Sequence, residues 1–141
     1  MTSSIPIELR RLVDERASSC CEYCLIPQVA TIHNHEPDHI IPSQHGGTSE
    51  EHNLALACMR CNRFKGPNLG SIDPKTEKLV PFFNPRKQIW SEHFGLENGI
   101  IHPLTPEGRV TAKILRFNDE DRVEKRLQLL ESGIYPLKMS K

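Results

Sequence analysis

Apolar positions recur at helical spacing near both ends of the chain. Residues 5–17 predict an amphipathic helix with Pro6 in its first turn. Its apolar face consists of Ile5, Leu9, Leu12, Val13 and Ala17. A second helix is predicted to begin near residue 105, and a capping signal at Asn118 predicts a third that stops at Gly133. The side chains that this third helix turns inward are predicted to be Val123, Leu127 and Leu130.

The middle of the chain predicts short strands separated by turns. Two β-prone stretches, 29–32 and 38–41, enclose a polar turn and predict a hairpin. Residues 54–57 predict a strand that leads through a cysteine turn into a helix over 58–65, which a Gly-Pro pair ends. Residues 71–85 are interrupted by prolines and predict an irregular connector. This order of elements favours an α+β fold.

Length and composition limit the possible classes of protein. With 141 residues, 37% of them hydrophobic, the chain has room for one compact core and no run long enough to span a membrane. We expect residues 1–70 to carry the chemistry and 71–141 to form a proline-rich connector and helical extension packed on it. The 18 basic and 18 acidic residues balance, so a basic face for nucleic acid is neither indicated nor excluded. No export signal is evident at the start, so a cytoplasmic location with reduced cysteines is expected.

Four of the five cysteines form two pairs with equal spacing. Cys21 and Cys24 are separated by two residues, and so are Cys58 and Cys61. Two such turns present four thiolates to one tetrahedral ion, which is the pattern of structural Zn²⁺. Metal-free buried thiols, a redox pair, or a shifted ligand set that includes Cys20 are the alternatives. Four thiolates leave no open coordination position, so this zinc would not catalyse a reaction.

Acidic, histidine and amide side chains lie between and just after the two cysteine pairs. Asp38 and His39 are adjacent, and Asn53 and Asn62 follow. Hydrolysis of a phosphodiester requires an activated water and a cation near the phosphate, and histidine is the natural base near neutral pH. Carboxylate and amide oxygens suit Mg²⁺ or Mn²⁺. These residue types agree with metal-dependent hydrolysis, although on its own an Asp-His pair on a turn is usually a solvated surface pair and a single asparagine is usually a cap.

The motifs CEYC, DHIIP, HGG, NLALAC and CMRCNRFKG occur in this order over about residues 18–68. Together they resemble the four-cysteine, zinc-containing branch of the HNH endonuclease family. The resemblance implies a small ββα-metal (His-Me finger) core with two zinc knuckles and hydrolysis of DNA. It further implies that His39 is the general base, that Asp38 and Asn62 bind a catalytic Mg²⁺ or Mn²⁺, and that Asn53 supports the loop carrying His39.

Several alternatives stay open at this point. Arg60, Arg63 and Lys65 are candidates for gripping the DNA backbone, and a solvated surface is the other interpretation. Pro37 cannot donate to a β-ladder, so its strand must be unpaired there. A zinc-stabilised module that binds nucleic acid without cutting it competes with the nuclease, and a redox or zinc-responsive protein is a third hypothesis. DNA is expected in preference to RNA, and a homodimer is possible.

Overall fold

The computed structural model describes residues 5–136, which fold into short helices and strands. The helices are α1 (Ile7–Arg16), α2 (Met59–Lys65), α3 (Trp90–His93), α4 (Pro106–Ile114) and α5 (Glu120–Glu131). The strands are β1 (Glu36–His39), β2 (Leu54–Ala57), β3 (Gly70–Ile72), β4 (Leu79–Pro81), β5 (Phe94–Glu97) and β6 (Ile100–Pro103). Each strand pairs with one antiparallel neighbour, in the order β1–β2, β3–β4 and β5–β6. The predicted α+β class is confirmed.

Strand β1 pairs with β2, so the predicted hairpin between residues 29–32 and 38–41 is wrong. Gln28–Ala30 is a turn of 3₁₀-helix, and the Gln28 side chain accepts a hydrogen bond from the backbone of His35. The larger apolar side chains of this segment find no core, since Val29 and Ile32 are 80% and 96% exposed. Strand β2 is buried at all four positions, and burial on both faces makes it the better partner for β1.

Pro37 fits this pairing because it lies opposite a residue whose polar backbone groups point elsewhere. Its partner in the register is Leu56. The Leu56 N–H donates to the Glu22 carboxylate, and the Leu56 carbonyl accepts from the Glu22 N–H. Both backbone groups of Leu56 thus bond to Glu22 in the first cysteine turn, so β2 needs no N–H donor from Pro37. The sequence predicted that the strand is unpaired at this proline.

Helix α1 covers β2 through a small apolar cluster. Val13 and Ala17 are buried against Leu54 and Leu56, with Leu9 packed at the edge. Leu12 is 37% exposed, so its predicted place on the inward face is wrong. Because the sheet has only two strands, it buries a narrower apolar face of α1 than the sequence pattern predicted.

Two hairpins follow α2 that the sequence analysis did not predict. The supposed irregular connector contains the β3–β4 hairpin, so that expectation is wrong over part of its length. The β5–β6 hairpin turns at Asn98 and Gly99, whose φ angles are 54° and 78°. Asn-Gly favours this left-handed turn geometry, and the signal was present in the sequence.

Helix α4 begins as predicted, but α5 differs in its start and in its inward face. Thr105 caps α4 by accepting from the Gly108 N–H, whereas the N-cap of α5 is Asp119. The Asn118 side chain instead bonds both backbone groups of Ile101. The buried residues of α5 are Arg122, Arg126 and Leu129, and the predicted inward residue Leu127 is 41% exposed.

One large core joins the cysteine turns to the C-terminal helices. It includes residues from Cys21 to Tyr135, with Trp90, Phe94 and Phe117 among its aromatic members. The Trp90 indole donates to the Tyr23 carbonyl at 2.8 Å. Among residues 5–136, no helix has the length and apolar character needed to cross a membrane.

Candidate functional site

The four paired cysteines meet at one buried point. The Sγ atoms of Cys21, Cys24, Cys58 and Cys61 all lie within 4.8 Å of one another. Each of these residues is at most 4% exposed. Cys20 is separate from this group, and its thiol bonds the Ser18 carbonyl at 3.4 Å. The predicted ligand set is therefore positioned to bind zinc.

Backbone turns hold the thiols in place. The Cys24 N–H donates to Cys21 Sγ at 3.5 Å, and the Cys61 N–H donates to Cys58 Sγ at 3.4 Å. Cys58 is also the N-cap of α2. Leu25 adopts a left-handed φ of 68° that turns the chain back after the first pair. The same local geometry occurs at both cysteine pairs, and it stabilises negative charge on sulfur.

The charge state of this cluster depends on the cations around it. Burial raises the pKa of the Cys21 and Cys61 thiols, while hydrogen bonds from the neighbouring thiols lower the pKa of Cys24. A dication bound by all four sulfurs would deprotonate them outright. A guanidinium is also present, since Arg122 Nη2 lies 3.2 Å from Cys61 Sγ and 3.8 Å from Cys58 Sγ. Four buried sulfurs with N–H donors around them fit a structural zinc ion.

Asp38 lies on β1 in a buried polar cluster with two donors. Tyr23 Oη donates to Asp38 Oδ2 at 3.1 Å, and Lys65 Nζ lies 3.1 Å from the same oxygen. Burial raises the pKa of Asp38, and the positive charge of Lys65 opposes that shift. Burial and the nearby carboxylate raise the pKa of Tyr23 well above its ordinary value, so its hydroxyl stays a donor. Within the described part of the chain, Tyr23 and Lys65 both contact Oδ2 of Asp38.

The backbone on either side of His39 is fixed by neighbouring elements. Lys65 Nζ donates to the His39 carbonyl at 2.9 Å, and the next N–H, of Ile40, donates to the Asn53 carbonyl at 2.8 Å. The ring Nε2 lies 2.9 Å from Ser49 Oγ. The imidazole is half-buried at the end of β1. Its position therefore depends on both α2 and the loop after β1.

Asn53 ties this loop together. Its buried side chain accepts from the Ile41 N–H at 2.9 Å and donates to the carbonyls of Ile41 and Thr48 at 3.0 and 2.7 Å. Gly47 passes so close to Ile41 that a Cβ there would overlap the Ile41 carbonyl oxygen. Close packing of the loop on itself thus requires glycine at position 47, while the left-handed φ of 89° favours glycine at position 46.

Asn62 and the three candidate cations lie on or beside α2 in different environments. Asn62 and Arg63 are exposed. Asn62 lies three residues before Lys65, so it shares a helix face with the lysine that contacts Asp38. Arg60 pairs with Asp121 at 2.8 Å. Lys65 is 2% exposed, so the expectation that it lies on the surface and grips DNA is wrong.

The sequence analysis missed two residues that contact the predicted site, Tyr23 and Arg122, and it gave a third, Lys65, a different role. Tyr23 and Lys65 contact Asp38, and Arg122 contacts the cysteine sulfurs. The tyrosine stands inside the first cysteine motif, which was a usable signal. Nothing in sequence spacing indicates that Arg122 and Cys61, 61 residues apart, would meet.

A family model described as HNH endonuclease matches residues 21–68. The matched segment contains the four cysteines, β1, β2 and α2. No curated protein and no solved structure matches the chain. Residues 21–68 are therefore similar to the HNH endonuclease family, and their four-cysteine cluster is consistent with its zinc-containing branch.

Proposed function

We propose that this chain is a metal-dependent endonuclease that hydrolyses phosphodiester bonds in DNA. The observation that carries the proposal is the setting of Asp38 and His39 at the end of β1, where Lys65 from α2 contacts both residues and Ser49 from the following loop contacts the His39 ring. A fixed histidine beside a buried carboxylate is costly to build and suits hydrolysis better than simple binding.

In this proposal His39 acts as the general base that takes a proton from the attacking water. A positioned base of this kind typically contributes about 10²–10⁴-fold to the rate. Asn53 supports the reaction indirectly, because its three hydrogen bonds keep the loop beside His39 in one conformation. Ser49 faces the ring and orients it.

Asp38 and Asn62 would hold Mg²⁺ or Mn²⁺, with Asp38 Oδ1 as the carboxylate oxygen that Tyr23 and Lys65 leave available. Bound there, the ion would stabilise the negative charge that develops on the phosphate. The residues fit such an ion in type, since both offer hard oxygen ligands. Lys65 offsets part of the Asp38 charge, and the exposed Arg63 would contact the DNA backbone.

The zinc site has a structural part in this proposal. Its four sulfurs leave no position for substrate. Tyr23 lies between two of the ligands in sequence and donates to Asp38, so the first knuckle connects the zinc cluster directly to the proposed catalytic carboxylate. Loss of zinc should therefore abolish cleavage by disturbing the position of Asp38.

A zinc-stabilised module that binds nucleic acid without cutting it is the second candidate. The buried ion pair between Lys65 and Asp38 favours it, because the lysine neutralises the carboxylate without any metal ion. Such a module would bind nucleic acid equally well with and without Mg²⁺, and Asp38 would have a purely structural part.

The test is to incubate purified protein with supercoiled plasmid in Mg²⁺, Mn²⁺ or EDTA, beside Asp38→Asn, with the zinc content of each sample verified. We expect nicking by the wild type that depends on the divalent ion and is lost in the variant. If both zinc-loaded proteins bind plasmid and neither cuts plasmid, single-stranded DNA, branched DNA or RNA, the binding module is the correct function. Equal cutting by both proteins would show that Asp38 does not hold the ion.

A further inference from the structure

Helix α5 presents a guanidinium to the cysteine cluster from the far end of the chain. Arg122 is 7% exposed. Its Nη2 donates to Cys61 Sγ at 3.2 Å and to Cys58 Sγ at 3.8 Å. Its Nη1 donates to the carbonyls of Leu115 and Arg116 at 2.7 and 3.1 Å, where α4 ends. One end of the guanidinium is thus anchored to backbone, and the other is directed at sulfur.

This contact has an electrostatic consequence. Four thiolates around a dication leave an excess of negative charge, and these sulfurs are buried, where uncompensated charge is costly. A guanidinium within hydrogen-bond distance of two of the sulfurs offsets part of that charge. Metal ligands generally depend on such outer partners, whose removal costs about 10–100-fold in metal affinity.

The same helix carries a natural control for this arginine. Arg126 lies one turn further along α5 and is 2% exposed. It donates to the carbonyls of Gly99 and Phe117 and to Asn118 Oδ1. These partners are all oxygen atoms. The two arginines therefore share residue type, helix and burial, and they differ in hydrogen bonding to sulfur, while the charges of Cys24 and Cys61 also act on Arg126 without such a bond.

A surface cavity of about 360 Å³ opens beside the cluster. Its lining includes Cys24, Cys58 and Arg122. The cavity therefore reaches residues of the cluster at the place where the guanidinium lies. The guanidinium that offsets the charge of the cysteine cluster therefore also lines this cavity.

We propose that Arg122 is a positioning residue of the zinc centre. By donating to the Cys58 and Cys61 thiolates, its guanidinium lowers their nucleophilicity and slows the loss of zinc. Through it, the C-terminal helix outside the matched family segment becomes part of the metal site. This inference concerns metal retention and does not depend on the proposed nuclease activity.

The experiment compares Arg122→Met with Arg126→Met in the zinc-loaded full chain. Zinc release is followed with a chromogenic chelator, alone and after addition of N-ethylmaleimide, which forms a carbon–sulfur bond with a thiolate and takes one proton from water. We expect release from Arg122→Met to be about 10–100-fold faster than from the wild type. Release from Arg126→Met should stay within about three-fold, even where unfolding shows a similar loss of stability.

A spectroscopic measurement separates this effect from general loosening of the fold. In the cobalt-substituted protein, loss of N–H···S bonds raises the energy of the sulfur lone pairs. The sulfur-to-cobalt charge-transfer band should therefore move to longer wavelength in Arg122→Met and stay in place in Arg126→Met.

If the methionine variants do not fold, the same zinc-release comparison is made between Arg122→Lys and Arg126→Lys. Lysine lacks the planar fork that reaches sulfur and carbonyls together, so Arg122→Lys should still release zinc several-fold faster than Arg126→Lys. Equal release rates and unshifted cobalt bands in the folded pair would overturn the proposal.

Discussion

Replacing Lys65 with methionine tests the buried ion pair behind the proposed catalytic carboxylate. The Lys65 and Asp38 side chains are 2% and 7% exposed, and Nζ lies 3.1 Å from Oδ2. The same ammonium donates to the His39 carbonyl. Removing one partner of a buried pair leaves an uncompensated charge and typically costs about 3–5 kcal/mol. We expect the free energy of unfolding of Lys65→Met to fall by about that amount.

The assay is urea unfolding at neutral pH in metal-free buffer, with zinc content verified in every sample. Lys87→Met is the control, because this lysine is exposed and its replacement should change stability by no more than about 0.5 kcal/mol. The double variant Asp38→Asn/Lys65→Met removes both charges, so its loss should be smaller than the sum of the two single losses.

Repeating the urea unfolding in the presence of Mn²⁺ tests the proposed metal site at Asp38. If Asp38 holds the ion, Mn²⁺ takes over the compensating charge in Lys65→Met and restores about 2.7 kcal/mol at one hundred times its dissociation constant. A loss below about 1 kcal/mol in Lys65→Met would refute the reasoning on the ion pair. A full loss that Mn²⁺ does not relieve would instead refute the proposed metal site at Asp38.

Three further perturbations have defined outcomes. Tyr23→Phe removes a hydrogen bond to a charged group, so we expect a loss of about 1.5–3 kcal/mol in urea unfolding with the zinc content unchanged. Asn53→Ala leaves the loop backbone at Ile41 unpaired, and hydrogen exchange at the Ile41 amide should become faster, with unchanged exchange counting against the account. The pKa of Asp73 is held far below its ordinary 3.8 by hydrogen bonds from Arg109. Its stabilisation is present above pH 3.8 and is lost on acidification, because the unfolded carboxyl takes up a proton first. The stability difference between wild type and Asp73→Asn should therefore shrink as the pH falls below about 4, and a difference independent of pH would contradict this assignment.

The cysteine cluster was predictable from sequence because its determinants are local. Each pair of ligands occupies one tight turn, and the spacing alone brings both sulfurs to the same side. The strand 54–57 and the helix after Cys58 were predictable for a similar reason, since their apolar run and their Gly-Pro ending are short-range signals.

The partners of β1 and α5 were not predictable because they depend on contacts between distant segments. The apolar pattern at 29–32 indicated a strand, yet the Gln28 side chain and the greater burial of β2 decided the pairing. In α5 the hydrophobic pattern indicated an inward face of Val123, Leu127 and Leu130. Leu130 does pack against the core, but the buried residues of α5 are Leu129 and two arginines, whose guanidinium groups donate to carbonyl and sulfur acceptors of other elements.

Among the site residues, too, local motifs were predictable from the sequence and contacts between distant segments were not. Motifs identified Asp38 and His39 as a pair, and the family match covers them. The contacts made by Lys65 with Asp38 and His39 join residues 27 and 26 positions apart, through a helix whose packing the sequence does not specify. The division of the chain near residue 70 stays a prediction.

The single-turnover rate of plasmid nicking in Mg²⁺, measured for His39→Ala and His52→Ala side by side, tests the central claim most directly. His52 is an exposed histidine whose ring lies 3.4 Å from the Glu50 carboxylate, so its variant controls for loss of an imidazole. The account predicts that His52→Ala cuts at the wild-type rate and that zinc-loaded His39→Ala is slower by about 10²–10⁴-fold. Equal rates for the two variants would show that His39 is not the base.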